Sequence, residues 1–405
     1  MANDSTSSRG LRVAIVGGGL GGLCAAAFLN RAGAQVTVFE QAPELSAVGA
    51  GINMGPNAGR ILDYLGLTEA LTKAGEIVET AWEFRRWQDA SVLFAQERGE
   101  RSLRRYGAHG YFIHRADLLD ILRSVVPDEI IELDRKCTGV EQDRSAGRLS
   151  FADGSTAEAD VIIGADGIHS VVREAVVGAI PTTFSGLCAW RCLVPARRAP
   201  RFALRPAQTL WVGPGRHVAH YPISDRMWVN AVAITPMQEW TPESWATSGE
   251  VSELVAEFEG WDSRLTGLLE ASSSVNRWAL LEREPLTRWT VGRIALLGDS
   301  AHPMFPFLAQ GAGQAFEDAA CLSECLAGVR TGDAARALQR YQLLRMGRAT
   351  EVQRRSREAS DREHLPDGPE QRLRDQRLAL HDPLEYNSWL YDHDALAHAA
   401  KTPAL

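Results

Sequence analysis

Arg12-Val13-Ala14-Ile15-Val16 runs into Gly17-Gly18-Gly19-Leu20-Gly21-Gly22. After Leu23-Cys24-Ala25-Ala26-Ala27-Phe28-Leu29 and Ala32-Gly33 the chain continues Gln35-Val36-Thr37-Val38-Phe39-Glu40. The order is an apolar strand, a glycine turn, a helix of small residues, a second strand and an acid. Gly17, Gly19 and Gly22 fill the three positions of Gly-x-Gly-x-x-Gly. The first permits the tight turn, the second lets backbone approach a pyrophosphate, and the third lets the helix pack close to the strand. Glu40 stands about 20 residues on, where a carboxylate accepts from ribose hydroxyls. Glycine clusters alone are often plain loops; here every flanking element is in order, so the stretch reads as a dinucleotide site. The motif does not choose between NAD and FAD.

The rest of the chain bounds the fold around it. Its 405 residues, 45% of them hydrophobic, suit two domains or one domain with a large insertion. A net charge of -8 and the lack of a basic, aromatic-interleaved patch argue against nucleic acid. No apolar run reaches the roughly 18 residues of a membrane helix. The six cysteines form no Cys-x-x-Cys and read as reduced thiols rather than a metal site, which implies a cytoplasmic protein. Residues 1–10 are polar and serine-rich, a disordered lead.

Further along, Val48-Gly49-Ala50-Gly51-Ile52-Asn53-Met54-Gly55-Pro56-Asn57 is glycine-rich backbone, either close to a ligand or simply capping the next helix. Ala159 to Gly164 is a buried strand leading to Asp166-Gly167. From 184 to 274 alternating strands dominate, as in a half-exposed antiparallel sheet, with one helix near 250–259 and Ser248 as its cap. The strand Ile294 to Leu297 then leads to Gly298-Asp299, His302-Pro303 and the apolar loop Met304-Phe305-Pro306-Phe307-Leu308. A helix follows near 313–326. A second, about 334–357, carries arginines that read as a solvated face. The expected fold class is α/β: a Rossmann-like dinucleotide domain (11–183 and 275–360), an inserted, mainly antiparallel β-sheet domain (184–274), C-terminal helices, and a tail (361–405) packed on the body.

Gly17-x-Gly19-x-x-Gly22 with Glu40, Asp166-Gly167, and Gly298-Asp299 with His302-Pro303 stand in a fixed order. That order resembles the single-component FAD-dependent aromatic hydroxylases, over roughly residues 11–391. Val48 to Ile52, Trp190-Arg191 and Trp389-Leu390-Tyr391 are similar to the branch with salicylate hydroxylase, 3-hydroxybenzoate 6-hydroxylase and 6-hydroxynicotinate 3-monooxygenase. The resemblance implies that Gly17, Gly19 and Gly22 turn around the FAD pyrophosphate. It places Glu40 and Gln41 at the adenosine, Cys137 near the adenine, Arg115 alongside the flavin, and Asp166 in a fingerprint shared by FAD and the nicotinamide donor. Asp299 would bind the ribityl chain. Gly311 and Ala312 would bring a helix N-terminus to a reduced, anionic flavin, which a helix dipole favours. No second Gly-x-Gly-x-x-Gly exists, which fits a family without a separate nicotinamide domain.

The implied activity is a monooxygenation. NADH or NADPH reduces FAD, O2 adds at flavin C4a as a hydroperoxide, and an oxygen atom passes to an electron-rich ring. Ring hydroxyl deprotonation assists this step, so a base is expected. On a strand, His217, Ala219 and Tyr221 share a face and His220 points away. The resemblance makes His217 and Tyr221 the catalytic pair; their residue types alone allow a core histidine and tyrosine. His302 reads instead as structural. Asn53, Arg191, Pro306 and Phe307 are expected to contact substrate. Arg191 suits a carboxylate, with a sheet-edge role as the alternative. Pro306 or Phe307 stands where relatives place a polar side chain, a glutamine in the 3-hydroxybenzoate branch and a histidine in the 6-hydroxynicotinate branch, and Asn53 stands where the latter has histidine; the wholly apolar 304–308 run disfavours a pyridine and favours a benzenoid ring. The expected partners are a small aromatic acid, O2 and NAD(P)H, with the chain a monomer or homodimer. The alternatives are a hydroxylase of a larger ring, a flavin reductase without oxygen insertion, and a NAD-only dehydrogenase.

Overall fold

The computed structural model describes residues 10–45, 51–238, 246–382 and 384–403. The expected lead, apart from Gly10, and the segment Val48 to Ala50 lie outside the described residues. Strand Arg12–Val16 is the spine of a six-stranded sheet, paired in parallel with Gln35–Phe39 on one side and Val161–Gly164 on the other. Ile131–Glu132 and Ile294–Leu296 extend the sheet in parallel, and Thr290–Val291 closes one edge antiparallel. Val13 to Val16 and Val161 to Gly164 are buried without interruption, because helices cover both faces of a parallel sheet. The Leu20–Arg31 helix buries Cys24 to Ala27, whose small side chains let it lie close on the strands.

The second sheet has eight strands. Their order is Ala246–Ser248, Ser274–Glu282, Thr183–Pro195, Trp228–Pro236, Arg216–Ile223, Ala207–Gly213, Thr80–Arg86 and Val92–Glu97. It is antiparallel except where Ala207–Gly213 pairs in parallel with Thr80–Arg86. The sheet therefore draws strands from before residue 184 and beyond residue 274. Alternation assigns its two faces. Trp190, Trp211, Val218 and Ala233 pack outward against helices Val251–Ala256 and Ser263–Glu270. Ala189, Arg191, His217, Ala219, Tyr221, Val232 and Ile234 point the other way, into a pocket.

Three local expectations change. Ser248 ends a strand, and Glu250 is the N-cap of the short Val251–Ala256 helix. The long C-terminal helix runs Ala334–Glu363, beyond the expected end near 357. Its arginines do not form one solvated face: Arg345 is 1% exposed and held by Glu317 and Asp318. Beyond it, the Tyr391 hydroxyl accepts from Arg98 Nη2 at 2.7 Å and Trp82 Nε1 at 3.1 Å, docking the tail.

Candidate active site

A cleft of about 840 Å³ runs between the two sheets. Its first end is built by the opening motif. Gly17 has φ +108°, and a Cβ there would lie 2.4 Å from the Ala165 carbonyl. A Cβ on Gly22 would lie 1.9 Å from the Gly17 carbonyl. A Cβ on Gly19 would meet nothing within 4 Å, because Gly19 faces the open cleft. Gly17 and Gly19 therefore line the cleft, while Gly22 stands behind them as a packing residue. Gly19 is the N-cap of the first helix and provides no side-chain cap, leaving the helix amides to face a ligand. The Glu40 carboxylate accepts from Gly18 N–H at 2.6 Å and Ala42 N–H at 2.9 Å, fixed at the cleft edge with Gln41 and Cys137.

The middle is set by three loops. Asp166 spends its oxygens on its own chain, accepting from Ser170 Oγ at 2.5 Å, Val171 N–H at 2.8 Å and Val172 N–H at 3.1 Å. It thus shapes the turn that lines the cleft and caps the helix Val171–Val177. Asp299 differs. Its side chain is open to the cleft; the walls around it push the carboxyl up, against the pull of His302 and Arg115, and the carboxylate accepts from no described residue. Arg115 begins the helix Arg115–Arg123, half-buried, with burial lowering its pKa and Asp299 opposing. Gly311 and Ala312 open the helix Gly311–Leu326 into the same space, again without a side-chain cap.

A buried ion network holds that helix terminus in place. Arg345 donates to Glu317 Oε2 at 2.7 Å and Asp318 Oδ1 at 2.8 Å; Arg348 Nε adds a bond to Glu317 at 2.7 Å. Asp318 Oδ2 accepts from Gly298 N–H at 3.0 Å and pairs with His302 Nε2 at 2.6 Å. His302 is therefore a strut that ties the Gly298-Asp299 turn to the helix, and it does not line the cleft. The two acids are held below the usual carboxylate range because the facing cations outweigh burial.

The far end is the mainly apolar chamber. Pro306 presents its ring to the cleft, and Phe307 lies behind it, edge-on to His217 with centroids 5.2 Å apart. His217, Ala219 and Tyr221 line the chamber while His220 lies outside it, as strand alternation requires. Tyr221 stacks on Phe112 with centroids 4.9 Å apart, and burial pushes its hydroxyl pKa up. Arg191 enters the chamber from the next strand but one. Its guanidinium lies 5.2 Å over the Trp278 ring, and burial lowers its pKa. No described carboxylate pairs with it. Asn53 Nδ2 donates to Gln208 Oε1 at 2.7 Å, while Asn53 Oδ1 is buried without a partner.

Sequence reasoning did not single out Gln208, nor His364, whose Nε2 lies 2.8 Å from His217 Nδ1. It also passed over Glu363, whose Oε2 lies 3.4 Å from the same nitrogen. None of the three sits in a motif; each is brought in by a distant element.

The cleft fits FAD. It offers two uncapped helix N-termini for anionic groups, an open position at Gly19, and an unsatisfied acceptor at Asp299 for hydroxyls.

The family described as "FAD binding domain" matches residues 10–356. The chain is 44% identical over 384 residues to 3-amino-4-hydroxybenzoate 2-monooxygenase PtmB3 of Streptomyces platensis, covering 95% of this chain and 96% of that one. It is 37% identical over 345 residues to 6-hydroxynicotinate 3-monooxygenase of Bordetella bronchiseptica, covering 85% and 90%. A solved salicylate hydroxylase substrate complex superposes with a TM-score of 0.84 at 30% identity, covering 98% of this chain and 100% of that one.

Proposed function

This chain belongs to the FAD-binding-domain family of aromatic monooxygenases, and from that premise we propose that its substrate is a small benzoate with a ring hydroxyl and a second hydrogen-bonding substituent. The enzyme is an FAD-dependent monooxygenase that hydroxylates small aromatic acids with NAD(P)H and O2. When bound, FAD supplies the redox chemistry, taking a hydride from the nicotinamide and activating dioxygen. Gly17, Gly19 and Gly22 form and support its pyrophosphate turn, Glu40 takes the ribose, Asp299 the ribityl hydroxyls, and Gly311-Ala312 the ring end. Gln41, Cys137, Arg115 and Asp166 complete the walls.

Arg191 places a guanidinium in the chamber with no acidic partner among the described residues. A buried cation needs an anion; a substrate carboxylate supplies it and anchors the ring. The ring hydroxyl then meets His217 and Tyr221, two strands away on the same face. His217 uses Nδ1 on His364, leaving Nε2 with no described partner and open to the chamber. Burial holds the imidazole neutral, so Nε2 accepts the phenolic proton and the ring gains electron density. Tyr221 orients the same oxygen. Asn53 and Gln208 offer an unused acceptor and donor for a neighbouring amino or hydroxyl group. Phe307 and Pro306 pack the ring and exclude water.

The cysteines described as free and buried support a reducing, cytoplasmic setting. No described helix is long and apolar enough to cross a membrane. The test is a panel of hydroxybenzoates with and without an ortho amino group, and the matching benzamides. Nicotinamide oxidation and product mass are followed. Turnover of the amides at the rate of the acids would remove the role of Arg191.

A further inference from the structure

Buried His217 and half-buried His364 form an imidazole pair, of which substrate deprotonation uses only the inner end. We propose that His364 is the second station of a proton path, receiving through its Nε2 the proton that leaves the substrate hydroxyl by way of His217 and passing it to solvent at the outer surface. This rests on His217 being the base. The geometry has four parts. The Nδ1–Nε2 separation is 2.8 Å, a full hydrogen bond between two rings tilted by 35°. His217 is 4% exposed and lines the chamber, whereas His364 is half-buried and does not line it. Phe307 stands edge-on to both rings, at 5.2 and 6.2 Å, and shuts His364 off from the chamber. His364 follows the last residue of the Ala334–Glu363 helix, and its carbonyl accepts from Gly215 N–H at 2.9 Å, which pins the pair across the sheet edge.

The substrate O–H bond breaks and an N–H bond forms at His217 Nε2. The His217 Nδ1–H bond breaks as an N–H bond forms at His364 Nε2. The His364 Nδ1–H proton departs to water, on the side where Ser360 Oγ lies 3.5 Å away. Both imidazoles begin and end neutral; only their tautomers change, and ring reorientation or the reverse transfer resets them. The groups facing the pair are Ser360 and Glu363, with Arg362 and Arg374 acting on Glu363 from behind. Glu363 is 1% exposed, its carboxyl oxygens have no hydrogen-bond partner, and burial pushes its pKa up to about 8. Below that pH it is uncharged and leaves the pair free to exchange a proton rather than trapping an imidazolium.

The experiment uses the FAD-loaded enzyme and a nitro-substituted hydroxybenzoate, whose phenolate is coloured. After a pH jump, the appearance of bound phenolate is followed by stopped flow in the parent, His364→Gln and His217→Gln. Glutamine at 364 keeps a hydrogen bond to His217 but cannot relay a proton, so a purely structural role would leave the rate intact. The proposal expects phenolate to form roughly 10-fold or more slowly in H364Q, with the same final extent and the same ligand affinity. The hydroxylation rate should fall in parallel near neutral pH and recover for ring-fluorinated substrates, whose hydroxyl is more acidic. A slow H217Q with an H364Q at the parental rate overturns the relay and leaves His217 as base. A parental rate in H217Q overturns the base assignment and the relay with it. Should H364Q lose FAD, His364→Asn is read by the same rate.

Discussion

The Arg345 guanidinium donates to Glu317 Oε2 at 2.7 Å, both side chains being almost wholly enclosed. This pair anchors the start of the helix whose N-terminus opens into the cleft. Removing Arg345 leaves Glu317 and Asp318 with less than full charge compensation, although Arg348 and His302 remain. Arg345→Met should therefore lower stability by about 3 kcal/mol, the low end for breaking a buried ion pair. Urea unfolding of the FAD-free protein measures it; a loss below about 1 kcal/mol would mean the network is dispensable.

Gly19 and Gly22 should separate binding from folding. Alanine at 22 collides with the Gly17 carbonyl, so Gly22→Ala should destabilise the FAD-free protein. Alanine at 19 meets open space at φ −73°, so Gly19→Ala should leave that stability within about 0.5 kcal/mol. Its added methyl group would stand in the space proposed for the pyrophosphate and should weaken FAD by at least about 10-fold, or ~1.4 kcal/mol. Fluorescence titration of FAD and thermal melts of the apoproteins decide; equal effects of the two variants on both readouts would refute the division.

Glu363 gives stability a pH dependence of known sign. Its folded pKa, about 8, is raised above the unfolded value near 4.5. Its favourable contribution is complete below about pH 4.5 and is lost as pH rises through about 8. Relative to the parent, Glu363→Gln should gain stability steadily from pH 5 to 8, by up to about 1.4 kcal/mol per unit. Urea midpoints at three pH values suffice. A parent–variant difference that does not change with pH would mean the carboxyl is ionised throughout.

Arg191→Met should spare FAD binding and weaken the carboxylate-bearing substrate by roughly 10- to 100-fold, the loss of a charge-assisted contact of about 1.5–3 kcal/mol. Equilibrium binding to the oxidised enzyme reports it. An unchanged Kd would return Arg191 to a structural role on Trp278.

These sites were unequally legible in the chain. Gly17, Gly19, Glu40 and Asp299 are local in sequence or fixed by motif order, and all four line one cleft. That His217 and Tyr221 share a face follows from a period of two, which needs only the strand; their pairing as a catalytic couple came from the resemblance. His364 lies 147 residues from His217, at a helix end whose position in the sequence reading fell short near residue 357. Nothing local marks it as anything but a helix-terminal histidine. Arg345 was read as solvated because the helix carries many arginines. Only the facing acids of another helix show that Arg345 and Arg348 turn inward. The strands Thr80–Arg86 and Val92–Glu97 join the large sheet through a parallel pairing with Ala207–Gly213, a long-range contact that alternation does not specify.

A hydroxylase of small aromatic acids transfers one atom of dioxygen to its substrate's ring. The direct measurement is turnover of the FAD-loaded enzyme with a nicotinamide donor under isotopically heavy O2, with 3-amino-4-hydroxybenzoate and simple hydroxybenzoates as substrates and the product masses recorded. The expected product carries a single heavy oxygen and forms in proportion to nicotinamide oxidised. Substrate-stimulated nicotinamide oxidation with no heavy oxygen in any ring product would contradict it.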